Sequence, residues 1–232
     1  MNRENYDKDW RKDHEDELME DLDSGFTIDQ LAMIYERTPD SIRLKIRQLY
    51  IKANEKRQRQ IKQFIIKRKI KQLIHFTDAR NLDSISKHGI LSVQKLKETG
   101  THYYYNDGQR LDKHLNGVSV SITSINHYLL ANFHRRENRQ WLEISLKPEV
   151  LFINKCLFYD YNAATNKFMN KINEELYSFE ALRGMFAEKV IVKRIHTREN
   201  KLINQPTCVQ AEVIVIGAIA KSQIIRIQEA HV

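Results

Sequence analysis

The segment VQAEVIVIGAIA, close to the C-terminus, constrains the fold more than any other part of the chain. In an extended strand, successive side chains point to opposite faces of a sheet. The alternation gives two sets of side chains, one for each face: Val209, Ala211, Val213 and Val215, and Gln210, Glu212, Ile214 and Ile216. Both faces are apolar over most of the segment, which predicts a central strand covered on both sides. Gln210 and Glu212 are then polar groups at the start of a buried strand.

Three further segments, LIHFT, NGVSVSITS and WLEISLKPEVL, predict strands of the same domain. An amphipathic helical pattern ends at Gly89, and other helical patterns lie around 125–135 and 170–187. With 7 Gly and 3 Pro in 232 residues, the chain is poor in the residues that turn-dense all-β folds need. Strands and helices that alternate over 72–232 predict an α+β or α/β domain with a buried sheet.

Residues 1–51 carry a purely helical pattern. Thr27 is placed to cap a second helix, and Thr38, followed by proline, begins a third. Two short helices, a tight turn and a third helix that presents Arg43, Lys45 and Arg47 outward are typical of the helix-turn-helix. The sequence therefore predicts a small all-α module that contacts nucleic acid. A helical packing module with incidental arginines is the alternative.

Residues 52–71 form a basic block, with nine Lys or Arg side chains and one acidic side chain. The whole chain has a net charge of +8. Such a density of cations binds polyanions through counterion release, which makes nucleic acid the natural partner. A solvated helical connector is the other interpretation. The predicted organisation is thus a helical module (1–51), a basic helical linker (52–71) and a mixed domain (72–232).

Several classes of protein are excluded by what the sequence lacks. Two cysteines, Cys156 and Cys208, cannot build a disulfide framework or a four-thiolate zinc site. There is no Walker A motif, no G-x-G-x-x-G and no zinc-ligand spacing, so no bound metal is expected. The first residues, MNRENYDKDWRKDHEDE, contain no apolar signal region, and no apolar run approaches the length of a membrane span. We therefore expect a cytoplasmic protein without a membrane partner.

Candidate binding groups lie in three places besides Glu212, a carboxylate that must be paired or used if it is half-buried. His75 and Thr77 share one face of a predicted strand, where they could hold a ribose or a phosphate; a core histidine is the alternative. Tyr103, Tyr104 and Tyr105 precede NDGQRLD, in which Arg110 supplies a cation. Such a loop could stack on unpaired bases, or it is an ordinary surface loop. Ser119 and Ser121 share a face of the serine-rich strand.

From about Lys71 to the C-terminus, the sequence resembles the DarT family of NAD-dependent DNA ADP-ribosyltransferase toxins. The resemblance rests on six pieces in the family's order: HFTDARNLDSISKHGIL, NDGQRLD, GVSVSITSIN, CLFYDYNAATN, MF and QPTCVQAEVIV. The first 50 residues lie outside it. The resemblance implies an α+β fold, an ADP-ribosyltransferase-like split β-sheet domain preceded by the small helix-turn-helix-like module. NAD⁺ would bind as co-substrate in a cleft between two small sheets.

The resemblance also implies roles for individual residues. Glu212 falls on the catalytic glutamate and Arg110 on the essential arginine. The residues that match the NAD⁺-gripping segments are His75, Thr77, Asn81 and, on the central serine-bearing strand, Ser121. Gln210 would touch the acceptor base, and Tyr103, Tyr104 and Tyr105 would stack on single-stranded DNA.

Members of this family modify a base of single-stranded DNA, and a macrodomain antitoxin removes the mark. The resemblance thus implies a toxin or phage-defence effector with single-stranded DNA as substrate. The segment NAATN is more similar to the guanine-modifying branch than to the thymine-modifying one. Two alternatives remain: a non-catalytic DNA-binding regulator with a ligand-sensing domain of this fold, and the same fold acting on RNA or protein.

Overall fold

The computed structural model describes residues 9–104, 114–137, 139–168 and 171–230. Contacts divide the chain into two compact units, Met1–Arg57 and Gln58–Val232. Within the described residues, no helix combines the length and apolarity needed to cross a bilayer.

The first unit consists of α1 (Lys12–Asp23), α2 (Ile28–Ile34) and the first part of α3 (Pro39–Arg68). Thr27 caps α2 through a capping box with Gln30, and the Thr38 hydroxyl accepts a bond from the Ser41 N–H (3.2 Å), so both predicted helix starts are confirmed. Their inner faces meet in a small core: Leu18, Leu31, Ala32, Ile42 and Ile46.

The third helix continues without a break into the basic block and ends at Arg68, which gives one helix, α3, of 30 residues. The block's apolar residues Ile61, Phe64 and Ile65 are buried in the core of the second unit, whereas Ile66 is 77% exposed. The contact division falls at Arg57, inside the segment that was predicted as a linker. The change in composition near residue 52 therefore marks no break in the backbone.

The second unit is built on a six-stranded antiparallel sheet in the order β10-β4-β1-β3-β8-β5. Its strands are β1 (Leu73–Asp78), β3 (Gly117–Ile122), β4 (Trp141–Leu146), β5 (Cys156–Tyr159), β8 (Glu212–Ile216) and β10 (Ile224–Glu229). Two-stranded pairs are formed by β2 (Ile90–Leu91) with β9 (Ala218–Ile219), and by β6 (Lys189–Ile191) with β7 (Ile195–Thr197).

Short helices surround this sheet: α4 (Leu82–His88), α5 (Val93–Glu98), α6 (His127–Glu137), α7 (Val150–Ile153), α8 (Asn173–Tyr177) and α9 (Phe179–Gly184). The helix expected around 125–135 is α6, and the one expected over 170–187 is divided into α8 and α9.

Strand β8 lies inside the sheet, paired with β3 on one side and β5 on the other. Val213, Ile214 and Val215 have no solvent exposure, which confirms the central, buried strand. Each fully buried aliphatic side chain stabilises the fold by about 1.5–3 kcal/mol relative to an exposed one.

The sheet splits between β1 and β3. Their pairing consists of two residue pairs, Leu73 with Ile122 and Ile74 with Ser121, whereas β1 pairs with β4 along its whole length. Beyond Ile74 the two strands part, so the sheet opens into halves formed by β10-β4-β1 and β3-β8-β5. The opening lies at His75 and Thr77.

Gly89 ends α4 beside the opening, with a φ of +77°. A side chain there would collide with the backbone carbonyl of Ile219 and would lie 2.8 Å from the backbone nitrogen of Lys221. We expect Gly89→Ala to lower the free energy of unfolding by about 2 kcal/mol or more, because it combines backbone strain with a collision that no rotamer relieves. Urea denaturation followed by circular dichroism measures this change.

Gly184→Ala is the matched control, since Gly184 also ends a helix but has no atom within 4 Å of an added side chain and no positive φ. Equal stability of the two variants would contradict the close approach of Gly89 to β9.

Candidate active site in the split of the sheet

A cleft of about 370 Å³ occupies the split between β1 and β3. Its apolar wall comes from α4, β2, α5 and α6: Ile85, Ile90, Leu91, Leu96 and Phe133. Its polar groups come from the parting strands, from Tyr103 and Tyr104, and from Glu212. A concave apolar site with few convergent polar groups is the usual form of a ligand-binding site.

Two donors hold the Glu212 carboxylate from opposite sides. The Ser119 hydroxyl donates to Oε1, and the Ala163 N–H donates to Oε2 at 3.0 Å. Ser119 pairs with Ile214, two residues beyond Glu212, so Ser119 and Glu212 are diagonal neighbours on one face of the sheet. Both carboxylate oxygens are therefore fixed where β8 begins.

The loop of the NAATN segment aims the Ala163 N–H at this carboxylate. The Asn162 side-chain oxygen accepts a bond from the Ala164 N–H (2.9 Å), which is the hydrogen bond of an Asx turn. Ala163 is buried at the centre of this turn. The Asx turn formed by this local sequence therefore orients the Ala163 N–H toward Glu212.

His75 lies across the split from Glu212, and its Nδ1 is 2.8 Å from the carbonyl oxygen of Ser119. Because a carbonyl oxygen only accepts, Nδ1 carries the proton in this contact. His75 thus bridges the two strands where their ladder has ended, and it is a lining residue of the cleft.

Asn81 clamps the backbone of Tyr104. Its amide donates to the Tyr104 carbonyl (2.9 Å) and to the Thr77 hydroxyl (3.0 Å), and its Oδ1 accepts from the Tyr104 N–H (2.8 Å). Asn81 and Thr77 are both buried. The segment that leads into 105–113 is therefore fastened to the end of β1.

Arg80 holds the same tyrosine from its ring side. The guanidinium lies 3.7 Å from the centre of the Tyr104 ring and forks onto Asp78, at 2.9 and 2.7 Å. Asp78 is buried and also contacts Arg139 at 3.3 Å. The hydrogen bonds from Arg80 lower the pKa of Asp78, so the cluster stays ionised and fixed at neutral pH.

A second cleft, of about 600 Å³, adjoins the first and shares Asn162 and Ala164 with it. Gln210 lines this second cleft rather than the first, with Lys167 and Lys193. The Lys167 ammonium is 2.6 Å from a carboxylate oxygen of Asp160.

The structure brings together the predicted residues His75, Thr77, Asn81, Tyr103, Tyr104 and Glu212 in the first cleft. Ser121 is not among the residues that line it. Ser119, two residues earlier on the same face, contacts Glu212 instead. Tyr105 and Arg110 lie outside the described residues, and Arg43 and Arg47 belong to the first unit.

Three contributors to this cleft had no strong sequence signal. Ser119 was noted only for sharing a face with Ser121, and Ala163 acts through its backbone. Arg136, in the last turn of α6, is an exposed cation among the cleft residues. Arg136 could have been found only by locating α6 in the fold.

Residues 74–229 match the model of a protein family described as DarT, ssDNA thymidine ADP-ribosyltransferase. This match spans about two thirds of the chain. The chain belongs to the DarT family. The sequence resemblance is thereby confirmed, as is the α+β fold class with its helical N-terminal region. The DarT description specifies thymidine, which differs from the guanine branch favoured by the NAATN segment.

Among solved structures, the chain is similar to Thermosipho africanus DarTG in complex with ADP-ribose, with 15% sequence identity and a TM-score of 0.42. The match covers 70% of this chain and 44% of that one, so this chain spans less than half the length of that protein. Comparison with curated protein sequences found no match.

Within the described residues of this DarT family member, no group of three or more His, Cys, Asp or Glu side chains is arranged to hold a metal ion.

Proposed function

We propose that this chain transfers the ADP-ribose of NAD⁺ to a thymidine base of single-stranded DNA, with Glu212 as the catalytic carboxylate. The observation that carries the proposal is the double orientation of Glu212 by Ser119 and Ala163 at the mouth of the split. A carboxylate held by two donors is a pre-organised group. A degenerate, ligand-sensing domain has no need of such a group, which disfavours the non-catalytic alternative.

In this reaction the bond between nicotinamide and ribose breaks, and nicotinamide leaves as a neutral molecule. The ribose carbon gains positive charge and forms a new bond to a nitrogen of the base. The Glu212 carboxylate stabilises that charge and accepts the proton that the nitrogen loses, before releasing it to water.

The NAD⁺ side of the cleft fits a ligand with an aromatic ring and a ribose. The apolar wall suits the ring, and the polar imidazole of His75, anchored through Nδ1, suits a ribose hydroxyl. Asn81 holds Tyr104 in place beside them. Arg110, by the family resemblance, and Arg136, by its position, are the cations we assign to the pyrophosphate.

We assign the second cleft to the acceptor strand. Gln210 lies two residues before Glu212 and faces this cleft, and Lys193 adds positive charge there. The bases are unpaired in single-stranded DNA, so the target needs no extraction from a duplex. Tyr103 and Tyr104 line the first cleft, so the base-stacking role on this assignment falls, by the family resemblance, to Tyr105.

The resemblance adds a role and a partner to the proposal. We assign the chain to the toxins or phage-defence effectors, with a macrodomain antitoxin that removes the ADP-ribose.

The test is the incubation of the purified chain with NAD⁺ and single-stranded oligonucleotides that contain one thymidine, or one guanosine in its place. We expect the thymidine oligonucleotide to gain the mass of one ADP-ribose, with an equal amount of nicotinamide released. The same sequence as a duplex should stay unmodified. Modified guanosine instead of thymidine would overturn the acceptor base, and free ADP-ribose as the sole product would overturn DNA as the acceptor.

The serine pair provides a second prediction. Ser119→Ala removes the hydroxyl that orients Glu212, and we expect turnover to fall about tenfold, the usual cost of a lost hydrogen bond to a charged group. Ser121→Ala is the matched control on the same strand face and should stay within about twofold of the wild type. Steady-state transfer rates at saturating NAD⁺ measure both variants. A larger loss of turnover in Ser121→Ala than in Ser119→Ala would assign the site role to Ser121 instead.

A further inference from the structure

We propose that the first unit is a binding site for duplex DNA, and that the N-terminal part of α3 enters the major groove with Arg43 and Arg47. This unit lies outside residues 74–229, which carry the family match. No residue of the proposed site is among those that line the transferase cleft, and the proposal does not depend on the function proposed for that cleft.

The helices form the frame that a recognition helix needs. Helix α2 ends at Ile34, four residues intervene, and α3 begins at Pro39. Leu31 on α2 and Ile42 and Ile46 on α3 meet in one buried core, which fixes the two helices against each other. A short turn between two packed helices is the defining geometry of the helix-turn-helix.

The burial of side chains along α3 shows which side of this helix can contact DNA. Ile42 and Ile46 face the core. The outward orientation predicted for Lys45 is wrong, because its side chain is held by Glu15 at 2.9 Å and lies over the Trp10 ring. Besides Asp40 in the first turn, the exposed positions over residues 39–48 of α3 are Arg43, Leu44, Arg47 and Gln48.

These four side chains have the chemistry of a groove-reading surface. Arginine and glutamine form paired hydrogen bonds with guanine and adenine edges, leucine suits the thymine methyl group, and both arginines also suit phosphates. None of the four is aromatic, whereas single-strand binding uses aromatic stacking. An α-helix fits the major groove of B-DNA, so duplex DNA is the partner that this surface favours.

The charge of the first unit is divided: residues 1–38 have a net charge of −7, whereas residues 39–57, in α3, hold six cations and two acidic side chains. Seven of the twelve residues of α1 are acidic, so the anion-binding face must be that of α3. Glu15, which reaches toward α3, is neutralised by Lys45 and Lys52. Arg43 pairs with Asp40 at 2.8 Å, but both side chains are more than half exposed, and such a pair is weak enough to exchange for a phosphate.

The experiment measures fluorescence anisotropy of the full-length chain with a labelled duplex and with a single strand of the same length, over a range of salt. We expect Arg43→Ala/Arg47→Ala to weaken duplex binding about tenfold or more, and to lower the salt slope by about one for each arginine that contacts a phosphate. Arg183→Ala/Arg226→Ala, which removes two exposed arginines of the second unit, should change duplex affinity less than twofold. Asp40→Asn should act in the opposite direction and tighten duplex binding, since it releases Arg43.

Equal duplex affinity of the wild type and the Arg43→Ala/Arg47→Ala chain would overturn the proposal, and would make the unit a protein-binding or packing module. A loss no larger than that of the control pair would also overturn it. Transfer of ADP-ribose to a short single strand should be unchanged in Arg43→Ala/Arg47→Ala. A failure of this inference is therefore distinguishable from a failure of the proposed transferase.

Discussion

Glu212→Gln should reduce ADP-ribose transfer by about 10³-fold or more while the chain still binds NAD⁺ and DNA. The side-chain oxygen of glutamine can still accept from the Ala163 N–H, and its amide nitrogen can donate to the Ser119 hydroxyl, so the local geometry is retained. The amide carries no negative charge to stabilise the ribosyl cation, and it does not accept the proton of the attacking base. Losses of 10²–10⁴-fold, about 3–5 kcal/mol, are typical when a general base or an electrostatic stabiliser is removed.

The measurement is the initial rate of oligonucleotide modification, with NAD⁺ affinity determined separately by calorimetry. Glu143→Gln is a matched control, because Glu143 is also a half-buried strand residue that accepts a side-chain bond, from Gln228 at 3.1 Å, but it lies outside the cleft. Its rate should stay within about twofold of the wild type. A Glu212→Gln rate within tenfold of the wild-type rate would show that Glu212 does not take part in the chemistry.

In cells, growth inhibition by the wild type that is absent with Glu212→Gln would support the toxin assignment.

The position of Glu212 could be predicted from the sequence because it depends on local alternation. A run of apolar side chains on both faces fixes the burial of β8 whatever its partners are. The beginning of the strand was less predictable: β8 starts at Glu212, whereas Val209 lies in the preceding turn and is 47% exposed. The backbone N–H of Gln210 contacts the Cys208 sulfur within this turn, and no alternation pattern reports such a contact.

Contacts between distant segments set the remaining features of the site. Ser119 and Ser121 are equivalent in a period of two, and only the pairing of β3 with β8 distinguishes them. The Ala163 donor is a backbone group 49 residues from Glu212, so no side-chain pattern could indicate it. Similarly, α3 continues through the change in composition near residue 52, because helix continuity depends on propensity and packing rather than on charge. The domain boundaries predicted at residues 51 and 71 stay a prediction.

Asn81→Ala should raise the KM for NAD⁺ by about 10–100-fold and lower kcat much less. The substitution removes three hydrogen bonds at a buried site, two of which hold the Tyr104 backbone as a wall of the cleft. Each such bond contributes about 1 kcal/mol, and an unsatisfied buried partner adds to the loss. Asn81→Asp keeps the acceptor for the Tyr104 N–H but sets a buried carboxylate oxygen against the Tyr104 carbonyl, so its KM should rise at least as much as that of Asn81→Ala. The KM and kcat of each variant come from transfer rates at varied NAD⁺.

Asn154→Ala controls for the general loss of an amide-to-backbone bond, because Asn154 donates to the Ala218 carbonyl at 3.1 Å and does not line the cleft. Its KM should be unchanged. The double variant Asn81→Ala/Arg80→Ala tests whether Asn81 acts by anchoring Tyr104 or by contacting NAD⁺ directly. Arg80 stacks on the same Tyr104, so if Asn81 acts by holding that residue, the two effects on KM should be non-additive. Additive effects, or a wild-type KM for Asn81→Ala, would show that the clamp on Tyr104 does not shape the NAD⁺ site.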